Sequence, residues 1–216
     1  MGAGAVPSPR LIDALRAPTT GCGRRLRALQ RGADMAGSML MERGQVISLI
    51  CATPDMLDAE DAGGGAIAMR LGVKPPLSWP PEHNDTATRA WMRRLLTETP
   101  DEPGYVCWYM IAQNRLVGIC GFKGPPTDKG EVEIGYSVVE AEHRKGYGVE
   151  AAGLLVARAF RDPRVDVVTA ETLPRLIASQ KVLARCGFTH VGGYIDAEDG
   201  QIMRFEMRRP SERPGA

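Results

Sequence analysis

The sequence predicts one α+β domain in which helices layer against a mixed sheet. Two observations carry this. Short β-branched runs and segments of helical period follow one another as strand, helices, three strands, helix, strand, helix, two strands. The chain has 216 residues, 44% of them hydrophobic and 25% charged, which suffices for one sizeable core.

Taken in order, Gln45–Cys51 is a first strand. Pro54 opens a helix that runs to about Ala62, where Gly63-Gly64-Gly65 stops it, and Ala66–Leu71 is a second short helix. Trp79 stands in the rigid loop 74–82. Asn84 or Asp85 caps a third helix that places Ala87, Trp91 and Leu95 on one face. Tyr105–Ala112 and Leu116–Phe122 flank a short polar loop as a β-hairpin. Val165–Glu171 is a strand, and Pro174 turns into a helix capped by Gly187. Phe188–Tyr194 and Gln201–Arg208 are the last two strands.

The chemistry centres on Glu131–Phe160, EVEIGYSVVEAEHRKGYGVEAAGLLVARAF. Val132, Ile134, Tyr136 and Val138 alternate with more polar residues as a strand with two unlike faces, Tyr136 on the core side. After the turn, Val149, Ala152, Val156 and Ala159 recur at helical spacing. Gly146 and Gly148 stand where that helix starts, at unpaired N–H groups and the positive end of the helix dipole, with Arg144 and Lys145 beside them. Such a turn either cradles a phosphate or simply reverses the chain tightly.

EIGYSVVEAEHRKGYGVEA resembles the core motif of the GNAT superfamily of N-acetyltransferases, in which Gln or Arg, two residues, Gly, one residue and Gly or Ala surround the pyrophosphate of acetyl-CoA. ETLPRLIASQKVLARCGFTHVGG is similar to that family's T-x-P-x-N-x-A-S-x-x-V-L-x-x-x-G-F block, and LVGICGFKGPP extends the likeness upstream. The three blocks lie in the family's order within residues 104–208 and look most like the branch that acetylates ribosomal-protein N-termini. The resemblance implies an acyl-CoA N-acyltransferase fold of α/β/α layers, with a mostly antiparallel sheet of about six to seven strands and about four helices. It also implies acetyl transfer from acetyl-CoA to a primary amine, by direct attack in a ternary complex and without a metal.

Residue by residue, the resemblance assigns the diphosphate to the backbone of Arg144, Lys145, Gly146, Tyr147, Gly148 and Val149, and the pantetheine arm to Val138 and Val139 as an added strand. Glu133 is the expected base, with Glu131 in reserve on the acceptor side of the same face; two close carboxylates would raise one pKa. Ser179 matches the serine of the A-S pair and could hydrogen-bond the thiol. Trp79 is a candidate wall of the acceptor site or, equally, an ordinary core tryptophan. The chain departs from the pattern at His143 for Gln or Arg, Leu176 for Asn, and Leu183 for the tyrosine that serves many members as general acid.

Composition limits the alternatives. A net charge of +1 supplies no field for nucleic acid or an anionic membrane, and no apolar run is long enough to span a bilayer. Five scattered cysteines predict a reducing, cytoplasmic compartment rather than disulfides or zinc. Residues 1–38 read as a disordered Arg-rich leader, 39–209 as the acetyltransferase domain and 210–216 as a loose tail. A homodimer is compatible with this reading. The rival readings are a non-catalytic acyl-CoA-binding protein and a module that binds RNA or ribosomes through the leader.

Overall fold

The computed structural model describes residues 40–210; the expected leader, and the tail beyond Pro210, lie outside them. The strands are β1 (Met41–Arg43), β2 (Ile47–Cys51), β3 (Cys107–Ala112), β4 (Arg115–Phe122), β5 (Glu131–Val138), β6 (Val167–Thr172), β7 (Thr189–Asp196) and β8 (Gly200–Arg208). They form one sheet in the order β1-β2-β3-β4-β5-β6-β8-β7. Only β5 and β6 run parallel; the other neighbours are antiparallel. The helices are α1 (Pro54–Asp61), α2 (Gly64–Leu71), α3 (Thr86–Glu98), α4 (Tyr147–Arg161) and α5 (Ile177–Arg185).

Alternation along the strands builds a core on each face. On one face Trp108, Met110, Val132 and Ile134 pack against Ala151, Ala152, Leu155 and Ala159 of α4. The alanines, fully buried, let α4 lie close to the sheet. On the other face Ile50, Tyr109, Leu116 and Ile119 pack against Met56, Leu57, Ile67 and Met92 of α1–α3.

Local chemistry sets the helix ends. Asp85, not Asn84, is the N-cap of α3, and its carboxylate accepts from the Thr88 N–H at 2.8 Å. Gln113 and Asn114, at φ 48° and 58°, give the β3–β4 hairpin the left-handed pair that matches strand twist. Gly187 caps α5 at φ 89° as expected.

The structure corrects three boundaries. The sheet has eight strands because Met41–Arg43 pairs with Ser48–Ile50, a segment too short for any period to show. The triple glycine does not keep two helices apart: Gly63 alone makes the break at φ 112°, and Gly64 and Gly65 already belong to α2. Gly64 is needed there, because a Cβ would meet Trp79 at 2.6 Å and Pro76 at 2.8 Å. The fifth helix starts at Ile177, later than Pro174 suggested.

At the end of α4 the Arg209 guanidinium donates to the carbonyls of Phe160 at 2.7 Å, Asp162 at 2.6 Å and Val165 at 2.9 Å. Phe160 and Asp162 lie at the helix C-terminus, where carbonyls lack partners within the helix, and Val165 lies in the turn that follows. Arg209→Ala is expected to lower stability by about 2 kcal/mol, the size of a charge-assisted hydrogen bond left unmade, with an unchanged m-value in urea unfolding.

Candidate active site

β5 and β6 are paired only where Glu131–Ile134 faces Val167–Ala170. Beyond that, Gly135–Val138 pairs with β4 alone, while Glu171 and Thr172 pair with β8. The parallel pair therefore opens, and a cleft of about 570 Å³ runs from this opening to the start of α4 and along α5. The N–H of Lys123 donates to the Glu133 carbonyl and that of Val139 to the Val117 carbonyl. By the alternation of an antiparallel ladder, the N–H and C=O groups of Tyr136 and Val138 then point into the opening.

The strand-to-helix turn forms a concave run of N–H groups. Arg144 and Gly146 are left-handed at φ 63° and 85°, and Gly146 is the N-cap of α4. The Glu150 N–H is the donor that returns to the Gly146 carbonyl, so the earlier amides of the turn have no acceptor within the helix. Successive N–H groups turned to one side by such left-handed residues make an anion nest. Glu150 is the acid of the first helical turn, and its carboxylate is drawn away by the N–H groups of Gln45 and Val46. Arg144, Lys181 and Arg185 line the cleft, while Glu82, Glu133, Glu142 and Glu171 also border it.

The structure brings Arg144, Gly146, Tyr147, Gly148, Val149, Val138, Glu133 and Ser179 to this one cleft. It does not bring the other expected site residues there. Val139 is buried, and its N–H is spent on Val117 at 3.0 Å. The Lys145 ammonium turns to Glu142 at 2.6 Å, which leaves its expected backbone N–H role untouched. Glu131 pairs with Arg204 at 3.0 Å. Trp79 donates to the buried Glu60 at 3.2 Å, away from the cleft lining.

That Glu60 carboxylate also accepts from Tyr109 Oη at 2.7 Å and from the Asn84 amide. Burial raises its pKa, and these hydrogen bonds oppose the rise. The cluster ties down the loop whose next residues, Glu82 and His83, do line the cleft. Trp79 thus bears on the site at second hand.

Glu133 lies on the α1–α3 side of β5 and is ion-paired with Lys123. Burial raises its pKa above the ordinary carboxylate range; Lys123 pulls it back down, and Glu171 pushes it up. The like-charged neighbour is therefore Glu171 on β6, not Glu131 as the spacing suggested, because Arg204 holds Glu131.

By strand alternation Tyr136 belongs to the core side. It does lie on the α4 face, but at the open end of β5 that face borders the cleft. The Tyr136 hydroxyl stands 3.1 Å from Ser179 Oγ and 3.2 Å from the Ser179 carbonyl. Burial pushes its pKa up to about 12, so it stays a proton donor at neutral pH. Leu183, which takes the tyrosine position of the family pattern, is fully buried and offers no proton. His143 does not point at the nest either: its Nε2 lies 2.8 Å from the Val138 carbonyl and fastens the turn to the strand end. Among the described residues no cluster of His, Cys, Asp and Glu could hold a metal ion, and no helix is long and apolar enough to cross a membrane.

Residues 60–189 match the family model described as an acetyltransferase (GNAT) domain. YjdG of Bacillus subtilis (strain 168), an uncharacterized N-acetyltransferase, is 30% identical over 62% of this chain and 80% of its own length. Two solved structures are similar in shape. A ribosomal-protein-S5-alanine acetyltransferase from Vibrio fischeri superimposes with a TM-score of 0.59 at 17% identity, over 81% of this chain and 100% of that one. The microcin C7 self-immunity acetyltransferase MccE, solved with acetyl-CoA and AMP, gives 0.58 at 14% identity, over 77% and 94%. At those identities the two structures speak for the fold alone.

Proposed function

The chain belongs to the GNAT acetyltransferase family, and from that premise we propose that it transfers the acetyl group of acetyl-CoA to a primary amine by direct attack in a ternary complex. One observation carries the reading: the opened β5–β6 pair leads straight into the nest of free amides at Gly146–Val149. The nest suits the diphosphate, with Arg144, Lys181 and Arg185 adding charge. The open edge, with the N–H and C=O of Tyr136 and the N–H of Val138, suits an amide-bearing arm laid down as an extra strand, since His143 occupies the Val138 carbonyl.

Glu133 takes the proton of the attacking amine. The amine nitrogen bonds to the thioester carbonyl carbon, the C–S bond breaks, and the electron pair leaves on sulfur. Tyr136, backed by Ser179, supplies the proton that turns the thiolate into a thiol. An amide and free CoA result. The described cysteines are all free, which fits the reducing cytoplasm.

Isothermal titration with acetyl-CoA, followed by mass spectrometry of an amine panel incubated with it, tests the proposal. Micromolar binding and a gain of one acetyl group are expected. Binding without any acetylated product would favour an acyl-CoA-binding protein instead. Within this mechanism Tyr136→Phe is expected to lower kcat by about tenfold to a hundredfold, with little change in the KM for acetyl-CoA. Ser179→Ala added to it should cost less than it does alone, because the two hydroxyls share one task.

A further inference from the structure

A second cavity, of about 140 Å³, lies on the α1–α3 side of β5 beneath α3. Trp91, Met92, Val106 and Ile119 supply its apolar walls. It opens onto the cleft, since Glu82, His83, Lys123, Gly135, Tyr136 and Ser137 border both spaces. Resting on the acetyl-transfer reading, we propose that the acceptor is a primary amine carrying one compact apolar group, of phenyl or branched-alkyl size, near its amine carbon, and that this chamber seats that group.

Size comes first. An apolar protein cavity of about 150 Å³ stays dry and takes up benzene. The chamber is of that size, and an apolar group that enters it leaves water without needing a hydrogen-bond partner.

Polarity points the same way. Inside the chamber the Thr88 hydroxyl is already spent, donating to the His83 carbonyl at 3.0 Å. Cys107 and Cys120 stay uncharged, because burial raises both thiols. The nearby ammonium of Lys123 is held by Glu133. Glu82 stands at the mouth with its side chain 73% exposed. Among the residues that line the chamber Glu82 is the one carboxylate, so a second ammonium pushed inside would lack a buried partner in its walls, and burying an unpaired charge is costly. A polyamine or an aminoglycoside is therefore a poor occupant.

The passage is kept open by Gly135. A Cβ built there meets nothing within 4 Å, and the residue needs no left-handed backbone. Gly135 is followed two residues on by Ser137 and preceded two residues back by Glu133, so all three face the same side of β5. An amine near Glu133 thus has the chamber entrance beside it. A side chain at position 135 would block that entrance without straining the strand.

Isothermal titration of the CoA-saturated protein with 2-phenylethylamine, ethylamine and spermidine reads the preference. Phenylethylamine is expected to bind at least about tenfold more tightly than ethylamine, the smallest discrimination one apolar increment makes in such a pocket. Spermidine should bind no better than ethylamine. Gly135→Leu should erase the advantage of phenylethylamine over ethylamine. If that variant also disturbs CoA, Trp91→Ala decides, because Trp91 lines the chamber and not the cleft. It should weaken phenylethylamine by at least about tenfold at an unchanged CoA affinity. Tighter binding of spermidine, or phenylethylamine binding that both variants leave intact, overturns the proposal. Phenylethylamine binding that the variants abolish, with no acetyl-CoA consumed by the wild type, upholds the chamber and sinks the acetyl-transfer reading alone.

Discussion

Glu133→Gln is expected to lower kcat/KM for the amine by about 10² to 10⁴-fold, the range that a positioned general base supplies. The affinity for acetyl-CoA should stay within about threefold, since its phosphate site is built from backbone amides some residues away. The pH profile gives the sharper test. Only the ionised Glu133 can accept the proton, so the wild-type rate must rise with pH as the carboxyl loses its own. Burial sets that rise above the ordinary carboxylate range, and Lys123 moderates it. Lys123→Met removes a cation and should move the rising limb to higher pH. In Glu133→Gln that limb should disappear. A loss of less than about threefold, or a limb that persists in the Gln variant, would remove Glu133 from the mechanism.

The same group acts on stability with the opposite sign. A carboxyl whose pKa is higher in the folded state binds its proton more tightly there than in the unfolded chain. Its contribution is complete below the unfolded value and is lost as pH rises through the folded value. The protein therefore gains an active base over the interval in which Glu133 ceases to stabilise it.

Gly148→Asp is expected to raise the Kd for acetyl-CoA by about a hundredfold or more and to leave the fold at least as stable. A Cβ at Gly148 meets only Val182 at 3.6 Å and Tyr136 at 3.8 Å, ordinary contacts, and the backbone there is not left-handed. An acid in the first turn of a helix interacts favourably with the dipole by about 0.3–1 kcal/mol, and exchanging a helical glycine for Asp adds about 0.3 kcal/mol. Against a bound diphosphate the carboxylate does the reverse. At about 5 Å and an effective dielectric of about 20, each pair of like charges costs about 3 kcal/mol. Affinity and melting temperature should thus move in opposite directions. Parallel losses of both would mean that the turn is structural; an unchanged Kd would mean that the phosphates bind elsewhere.

Much of the scaffold was legible along the chain. The strand, turn and helix of the nest, the two unlike faces of β5, the cap at Gly187 and the order of the elements follow from spacing, because each depends on neighbours within a few residues. So does the family likeness, carried by three short blocks. What spacing does not hold is which partner meets a residue across the fold. Glu133 and Glu131 look equivalent in the sequence. Their fates separate because Lys123 and Glu171 come up beside one, and Arg204 reaches the other. Tyr136 follows the core alternation faithfully, yet it borders the cleft because β6 leaves β5 after Ala170 and α5, 43 residues further on, brings Ser179 to its hydroxyl. Trp79 was drawn toward the site by its loop and is claimed instead by Glu60. The apolar chamber is assembled from α3, β4 and β5 together, and no one of them signals it. Local periodicity decides which face a residue takes; only packing at long range decides whether that face meets core, ion pair or open cleft.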